Sequence, residues 1–353
     1  MSRRGGPHFG PRGGRRFGRR REPRFARRRR ARFFARRIAT LALLLAPLAV
    51  GAAAYLSFAS DHASGGAPRL PIAMRTPSVG HSDDKAPAPQ VAGKPVPSVA
   101  LAGVDAFHLD LRKPPRAGLV FDVDSGEVLW RHDPLRILPI ASLTKIMTAL
   151  AVVERTRPSE RVRITPAALD YTGSGVGLLP KGRRVPLEAL LNGLLIVSGN
   201  DAAIALAVHV SGSERGFVEL MNRRARDWGL ECTHFVSSHG LEPGNRSCAR
   251  DLAVLTRMAM AKPRIRRIAR RSQAALRFPI KGGKLYLSGH NPLIRTGYPG
   301  AIGLKTGYTE AAGRCFVGVA RRAGRRLAVV LLDSRDPAKH APKLLDAGFA
   351  SAG

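Results

Sequence analysis

The sequence predicts a C-terminal α+β domain over residues 105–353. Three observations predict it: a strand-turn-strand pattern near residue 120, strongly apolar helical stretches in the middle, and short β-rich runs near the end. Strands at both ends of a domain with helices between them are typical of an α+β fold. The chain has 353 residues, of which 44% are hydrophobic, so it can bury a sizeable core.

The strands are predicted at the two ends of this domain. Residues 117–123 and 127–131 are rich in β-forming residues, and the Asp-Ser-Gly sequence between them is typical of a tight turn. Near the C-terminus, residues 315–320 and 327–332 form a second pair of β-rich runs around a turn that contains glycine. We therefore expect one pair of strands from each end.

The helices are predicted between these two pairs of strands. Within residues 141–156, apolar side chains recur at helical spacing, at Ile146, Met147, Leu150 and Val153. Residues 187–212 contain two apolar helical stretches, which Ser-Gly-Asn interrupts at residues 198–200. Because a polar interruption in apolar surroundings costs stability unless it lines a cavity, we expect residues 198–200 to lie at a cavity.

Three segments precede the domain. Residues 1–37 contain 16 arginines and one glutamate, and they carry +15 of the formal charge of +34. Residues 38–59 contain no charged residue, and a helix of 22 residues is long enough to cross a bilayer. Residues 60–104 are rich in Pro, Ala and Gly. The sequence therefore predicts a disordered tail, a transmembrane signal-anchor helix and a linker, in this order.

The distribution of charge predicts the orientation in the membrane. Arginines precede residues 38–59, so we expect a cytoplasmic tail and an extracytoplasmic domain. A cleaved secretory signal is the alternative, because a signal peptidase could recognise the alanines at 52–54. An arginine-rich tail could also bind nucleic acid, but anionic lipid headgroups explain cations beside a membrane segment, and no nucleic-acid partner is expected.

A serine and a lysine lie three residues apart at the start of the first predicted helix. This spacing places the Ser142 hydroxyl and the Lys145 amine on one helix face, within one turn. A serine hydroxyl needs a base to become a good nucleophile, and a lysine with a lowered pKa can be that base. The alternative is structural, with Ser142 as a helix N-cap and Lys145 as a solvated residue of the first turn.

Two further polar clusters follow along the chain. Ser198 could relay a proton and the Asn200 amide could hold a substrate carbonyl, although Asn200 could instead cap the next helix. Lys305 and Gly307 point to one face of a predicted strand, whose open backbone edge an extended peptide could join. The alternative for Lys305 is a protective lysine on an exposed edge strand.

The three clusters follow the order S-x-x-K, S-x-N and K-T-G, with 56 and 107 residues between their first residues. With these residues, the sequence resembles the D-alanyl-D-alanine carboxypeptidase family of low-molecular-weight penicillin-binding proteins. The likeness includes ASLTKIMTAL, SGNDAAIALAVHVSGSE and YPGAIGLKTGYTEAAGRC, and it extends over residues 104–349. It implies the fold shared by β-lactamases and DD-peptidases. In that fold an antiparallel sheet from both chain ends packs against helices and a mostly helical subdomain, here without a C-terminal β domain.

The resemblance implies a serine peptidase that acts on peptidoglycan stem peptides and binds β-lactam antibiotics, without a cofactor. Ser142 would be the nucleophile, Lys145 the proton acceptor and Ser198 a proton relay. The backbone N–H groups of Ser142 and Tyr308 would form an oxyanion hole. The residues that would bind the substrate are Asn200, Lys305, Thr306, Gly307 and Tyr308.

Two alternative functions stay open at this point. One is a DD-endopeptidase, which cleaves peptidoglycan crosslinks instead of removing the terminal D-alanine. The other is a non-catalytic domain that binds anionic cell-wall polymer through its basic surface.

The cysteines predict a disulfide rather than a metal site. Cys232 and Cys248 are 16 residues apart, and an exported domain favours a bond between them. Strand alternation points Cys315 inward, so a buried thiol is expected there. The cysteines and histidines lack the spacing of a metal site, and no metal is predicted.

Overall fold

The computed structural model describes residues 96–351. The predicted tail (1–37), the predicted membrane helix (38–59) and the linker up to residue 95 lie outside the described residues and stay predictions. Within residues 96–351, no helix combines the length and the apolar character that crossing a bilayer requires.

Residues 96–351 contain strands at both ends of the domain and mostly helices between them. The strands are β1 (Ala117–Asp122), β2 (Val128–His132), β3 (Leu138–Pro139), β4 (Arg161–Arg163), β5 (Arg184–Pro186), β6 (Arg246–Ser247), β7 (Gln273–Arg277), β8 (Lys284–Ser288), β9 (Ala301–Thr309), β10 (Gly313–Arg322) and β11 (Arg325–Leu332). The helices are α1 (Lys145–Arg155), α2 (Pro166–Leu169), α3 (Leu187–Ile196), α4 (Asn200–Ser211), α5 (Glu214–Asp227), α6 (Ala249–Ala261), α7 (Pro263–Ala269), α8 (Pro292–Arg295) and α9 (Pro337–Ala350). A 3₁₀ helix over Ala141–Thr144 leads directly into α1.

A five-stranded antiparallel sheet forms the centre of the domain, in the order β2-β1-β11-β10-β9. Strands from the two ends of the domain pair in its middle, where β1 lies beside β11. Side chains alternate across β1, so Leu119 and Phe121 enter the core shared with α6, whereas Val120 enters the core shared with α9. Helices therefore cover both faces, and the predicted α+β fold with an antiparallel sheet is confirmed.

The helices between the strands form a second, mostly helical part of the core. Helix α1 packs against α3, α4 and α6, and it buries Ile146, Met147 and Leu150. The apolar stretch at residues 187–212 forms α3 and α4. The break was predicted at residues 198–200 and lies at residues 197–199, because Asn200 is already the first residue of α4. Because α3 is apolar on almost every side, it is buried along its length.

Residues that precede the predicted domain boundary also pack on the domain. Val99 is buried, and the Arg131 guanidinium donates a hydrogen bond to the Leu101 carbonyl. Just inside the boundary, the Ala106 N–H donates to the Leu129 carbonyl at 2.9 Å. Ordered contacts therefore begin before residue 105, within a segment whose composition is that of a linker.

A disulfide joins Cys232 and Cys248, whose Cα atoms are 5.5 Å apart, while Cys315 is a buried thiol. The bond closes the loop between α5 and α6. Closing a loop of this length contributes about 3 kcal/mol to the free energy of unfolding.

We expect the double variant Cys232→Ala/Cys248→Ala to lose about 3 kcal/mol of unfolding free energy, because its unfolded chain is no longer constrained. Urea denaturation of the purified chain in detergent measures this loss. Dithiothreitol should destabilise the wild type and leave the double variant unchanged. An equal response of both proteins to dithiothreitol would show that the bond does not stabilise the fold.

Candidate active site

The three polar clusters meet at one cleft of about 640 Å³, between strand β9 and the helical part of the domain. Its walls include Ser142 from the first cluster, Ser198 from the second, and Thr306, Gly307 and Tyr308 from the third. Lys145, Asn200 and Lys305 are buried. Clusters whose first residues lie 56 and 107 positions apart in the sequence thus come together at one cleft.

Lys145 is completely buried and makes three polar contacts through its Nζ atom. The Nζ atom lies 2.9 Å from Ser142 Oγ, 2.7 Å from Asn200 Oδ1 and 2.7 Å from the His239 carbonyl oxygen. The first two partners were predicted from the sequence as members of the same site. A solvated lysine in the first helical turn, the structural alternative, is therefore excluded.

The surroundings of Lys145 favour an uncharged amine. Burial, together with the positive charge of Lys305, lowers the pKa of Lys145 well below its ordinary value. A neutral amine has two N–H bonds and one lone pair, and the oxygens of Asn200 and His239 can only accept hydrogen bonds. The lone pair is then left for the Ser142 hydroxyl, which is the arrangement of a general base beside a nucleophile.

The orientation of the Asn200 amide is fixed by a second contact. Asn200 Nδ2 donates to the Thr172 carbonyl at 2.6 Å, so Oδ1 must face Lys145. Asn200 is the first residue of α4, and its side chain makes no capping hydrogen bond there. The interpretation of Asn200 as a helix cap is therefore wrong, and its side chain belongs to the buried hydrogen bonds of Lys145 beside the cleft.

Two residues beside the reacting groups have a left-handed backbone. Ala141 has a φ of 47° and Ser198 a φ of 64°. This conformation is uncommon for residues other than glycine, and it persists where the surroundings impose it. Here it holds Ser142 and Ser198 on the wall of the same cleft.

Lys305 lies behind the cleft wall rather than on its surface. It is 2% exposed, and its Nζ atom donates to the Thr306 carbonyl at 2.8 Å. Burial lowers the pKa of Lys305 to about 7. An exposed protective lysine, the alternative for this residue, is therefore excluded, and Lys305 lies buried beside the cleft.

Strand β9 is the edge of the sheet and runs close to the 3₁₀ helix that carries Ser142. A Cβ atom at Gly307 would lie 3.0 Å from the Ser142 nitrogen, so a side chain there would crowd this N–H. The Tyr308 side chain is exposed. Because Gly307 has no side chain, β9 can lie close to the 3₁₀ helix. The predicted oxyanion hole requires this short distance, since the N–H groups of Ser142 and Tyr308 would form it together.

Several residues of the site were missed by the sequence analysis. The carbonyls of Thr172 and His239 hold Asn200 and Lys145, and main-chain carbonyls have no sequence signature. Arg314 and Arg335 line the cleft, and no feature separates them from the many other arginines of this basic chain. Asp201 follows Asn200 directly, and this adjacency is the signal that could have found it.

Asp201 holds the loop that carries Thr172. Its Oδ1 atom accepts hydrogen bonds from the N–H groups of Val176 and Ala202, and its Oδ2 atom accepts one from Gly177. The carboxylate is 1% exposed and joins the start of α4 to this loop. It therefore supports Asn200 indirectly, by positioning the carbonyl that orients the amide.

We expect Asp201→Asn to slow acylation by penicillin about tenfold, because the amide NH₂ group cannot accept a backbone hydrogen bond and leaves a partly buried N–H unpaired. Stopped-flow acylation measures the rate, and hydrogen exchange at Val176 and Gly177 reports on the loop. The matched control is Asp227→Asn, on the exposed side of α5. Equal acylation rates for both variants would contradict the positioning role.

Within residues 96–351, the group that resembles a set of metal ligands is Cys232, Cys248 and Asp251. The two sulfurs are bonded to each other and cannot act as thiolates. Asp251 Oδ2 accepts hydrogen bonds from the Cys232 N–H and the Thr233 hydroxyl, both at 2.8 Å. These residues therefore stabilise the loop.

Comparison with known proteins identifies the same family over most of the described domain. The D-alanyl-D-alanine carboxypeptidase family model matches residues 114–336. The D-alanyl-D-alanine carboxypeptidase DacB2 of Mycobacterium tuberculosis is 39% identical over 222 residues, which are 62% of this chain and 75% of the relative. DacF of Bacillus subtilis is 33% identical over 244 residues, 67% of this chain and 62% of its own length.

Endopeptidases also occur among the relatives. The D-alanyl-D-alanine endopeptidase of Haemophilus influenzae is 34% identical over 198 residues, covering 55% of this chain and 66% of the relative. Among solved structures, a D-alanyl-D-alanine carboxypeptidase of Mycobacterium tuberculosis superimposes with a TM-score of 0.63 at 35% identity, over 73% of this chain and 96% of that chain. The sequence match and the shared fold both show that this chain belongs to the D-alanyl-D-alanine carboxypeptidase family of low-molecular-weight penicillin-binding proteins.

Proposed function

We propose that this chain is a serine-type D-Ala-D-Ala carboxypeptidase, which removes the terminal D-alanine from peptidoglycan stem peptides. The observation that carries the proposal is the 2.9 Å contact between Nζ of the buried Lys145 and Oγ of Ser142 at the cleft. A non-catalytic wall-binding domain has no use for a buried amine beside a serine. Membership of the family supports the same function.

The first step forms an ester between Ser142 and the substrate. Ser142 Oγ attacks the carbonyl carbon of the penultimate D-alanine, and its proton passes to the Lys145 amine. The N–H groups of Ser142 and Tyr308 would stabilise the negative charge that develops on the carbonyl oxygen. When the C–N bond breaks, the departing D-alanine amine takes a proton, which Ser198 would relay from Lys145.

The second step releases the shortened peptide. A water molecule attacks the ester carbonyl and gives up a proton to the Lys145 amine. Ser142 Oγ takes this proton from Lys145 as the C–O bond breaks, and it leaves as a hydroxyl. Penicillins would acylate Ser142 in the same way, because their lactam amide replaces the peptide bond that is attacked. The ring-opened amine stays attached to the acyl group, so the acyl-enzyme is expected to persist.

The substrate would bind along β9, whose free edge can pair with an extended peptide. The positive charge of Lys305 would attract the terminal carboxylate, with Thr306 at the surface in front of it. Arg335, which also lines the cleft, adds positive charge to the same space. Asn200 is buried, and its amide atoms already bond Lys145 Nζ and the Thr172 carbonyl, so it would position Lys145 rather than hold the peptide.

A DD-endopeptidase is the second candidate, because relatives of this chain carry that name. Incubating the purified chain with a monomeric pentapeptide and with a crosslinked dimer, followed by mass analysis of the products, distinguishes the two activities. Release of D-alanine from the pentapeptide supports the carboxypeptidase. Cleavage of the dimer alone would favour the endopeptidase, with the Ser142→Ala variant as the background control.

The predicted location also follows from the sequence. Residues 38–59 would anchor the chain in the cell membrane, with residues 105–353 on the extracytoplasmic side, where peptidoglycan lies. Added protease should degrade residues 105–353 in intact spheroplasts. If these residues are sheltered until the spheroplasts are lysed, the proposed topology is wrong.

The lowered pKa of Lys305 predicts how activity depends on pH. Lys305 is charged below a pKa of about 7 and neutral above it, whereas the substrate carboxylate stays ionised, so kcat/KM should fall above about pH 7. In Lys305→Arg the guanidinium stays charged, and the fall should move to higher pH. Rate profiles of both proteins measure this shift, with Lys262→Arg as the control. The same alkaline fall in Lys305→Arg would exclude Lys305 as its source.

A further inference from the structure

A second cleft, of about 920 Å³, lies at the opposite end of β9 from Ser142. It is formed by α7, by the start of β9 and by the turn between β10 and β11. Asp124 is the acidic residue on its wall. Five arginines also line it: Arg266, Arg267, Arg270, Arg321 and Arg326. We call this feature the arginine cleft.

Some arginines at this end of the sheet are neutralised by carboxylates. Arg326 Nε lies 3.0 Å from Asp124 Oδ2, and Arg325, outside the cleft, lies 2.7 Å from Asp122. In contrast, no carboxylate of residues 96–351 lies within 4.0 Å of the guanidinium groups of Arg267, Arg270 and Arg321. The arginine cleft therefore has an excess of positive charge within the described domain.

The fold accounts for only part of this excess of positive charge. Arginines near the end of α7 interact favourably with the helix dipole, which is worth a few tenths of a kcal/mol for exposed residues. The dipole of α7 does not account for Arg321, which lies on β10 directly opposite Arg326 of β11. Asp124 pairs with Arg326 but not with Arg321, so the charge of Arg321 beside this pair has no carboxylate partner within residues 96–351. An anion bound between the strands and the helix would neutralise Arg321 together with the arginines of α7.

The chemistry of the cleft indicates the class of anion. A guanidinium group binds phosphate oxygens through two parallel hydrogen bonds, and it stays charged at every physiological pH. The volume of about 920 Å³ exceeds the size of a single phosphate ion, and the arginines come from separate elements around it. We propose that the arginine cleft binds an anion that carries two or more phosphoryl groups.

This site is separate from the catalytic cleft. Ala301 and Gly307 lie toward opposite ends of β9, six residues and therefore about 20 Å apart. None of the residues that line the arginine cleft also lines the catalytic cleft. A phosphoryl ligand would hold the enzyme at anionic material while the catalytic cleft stays open to the stem peptide.

Chemical modification of arginine tests the proposal on the full chain in neutral detergent. Phenylglyoxal modifies accessible guanidinium groups, and peptide mass mapping resolves each position, so the arginines of residues 1–37 do not obscure the result. At pyrophosphate ten times above its Kd, modification of Arg267, Arg270 and Arg321 should slow about tenfold. The exposed Arg163 and Arg277 are the internal controls. Sodium chloride and citrate, each at the same ionic strength as the pyrophosphate sample, are the control solutes.

Equal slowing at the control arginines, or equal slowing by chloride or citrate, would overturn the proposal. Detergent micelles that contain cardiolipin, whose headgroup carries two phosphoryl groups, are compared with micelles of phosphatidylcholine and identify the source of the phosphoryl groups. Protection by pyrophosphate indicates a soluble ligand, protection by cardiolipin alone indicates a lipid headgroup, and either supports the proposal. Protection by none of these probes would overturn it.

A pair of charge-reversal variants provides the second test. In Arg270→Glu, pyrophosphate should no longer protect Arg267 and Arg321, whereas Arg184→Glu, on the exposed β5, should keep the protection. Undiminished protection in Arg270→Glu would overturn the proposal. Labelling of Ser142 by penicillin in the same samples shows that each variant is folded, and it reports the proposed peptidase function separately.

Discussion

Replacing Ser142 by alanine is expected to abolish covalent labelling by a fluorescent penicillin. It should also reduce kcat for D-alanine release on the order of 10⁶-fold, the effect of removing the nucleophile from a serine peptidase. The reason is chemical, since alanine has no atom that can form the ester. Gel fluorescence measures the labelling, and mass analysis of stem-peptide products measures the release.

The matched control for this prediction is Ser288→Ala, on the exposed face of β8. This variant should be labelled like the wild type, because Ser288 lies outside the catalytic cleft. If Ser142→Ala is still labelled, another side chain forms the ester and the proposed mechanism is wrong. If the wild type is not labelled at all, the wall-binding alternative gains support.

Replacing Lys145 by methionine is expected to lower kcat/KM for acylation by about 10³-fold, within the usual effect of a general base. Methionine has a similar length but no amine, so Ser142 would lose its proton acceptor. Asn200 Oδ1 and the His239 carbonyl would also lose a partner. We therefore expect a lower free energy of unfolding as well.

The pH profile separates loss of the base from loss of stability. Because Lys145 must be neutral to accept a proton, wild-type acylation should fall at acidic pH as the amine becomes protonated. In Lys145→Met this dependence should disappear from the residual rate, whereas Lys339→Met, an exposed control, should keep it. A residual rate with the wild-type acidic profile would exclude Lys145 as the base.

Much of the fold follows from local patterns in the sequence. The strands at 117–131 and 315–332 and the broken helix at 187–212 are all observed, since alternation and helical spacing report directly on burial. That strands from both ends of the domain share one sheet is not a local property, and it came from the resemblance to a known family. The pairing of β1 with β11 itself was not predicted. The packing of Val99 on the domain was not predicted, because it occurs in a segment rich in Pro and Ala.

The candidate site was predictable to the extent that its chemistry resides in side chains. Ser142, Lys145 and Asn200 were each ambiguous alone, and their order along the chain made the interpretation specific. The carbonyls of Thr172 and His239 were not predictable, because every residue has a carbonyl and only the fold selects which one faces Lys145. The burial of Lys305 was also not predictable, because it depends on how β9 packs against the 3₁₀ helix.

The pairing of β1 with β11 has a consequence for the order in which the chain can fold. Ala117 lies opposite Leu332, so the central sheet cannot be completed until almost the whole polypeptide is available. Contacts this distant in sequence slow folding and leave apolar strands unpaired for longer. A product truncated before β11 would leave Leu119 and Phe121 without their strand partner, and we expect it to aggregate or be degraded.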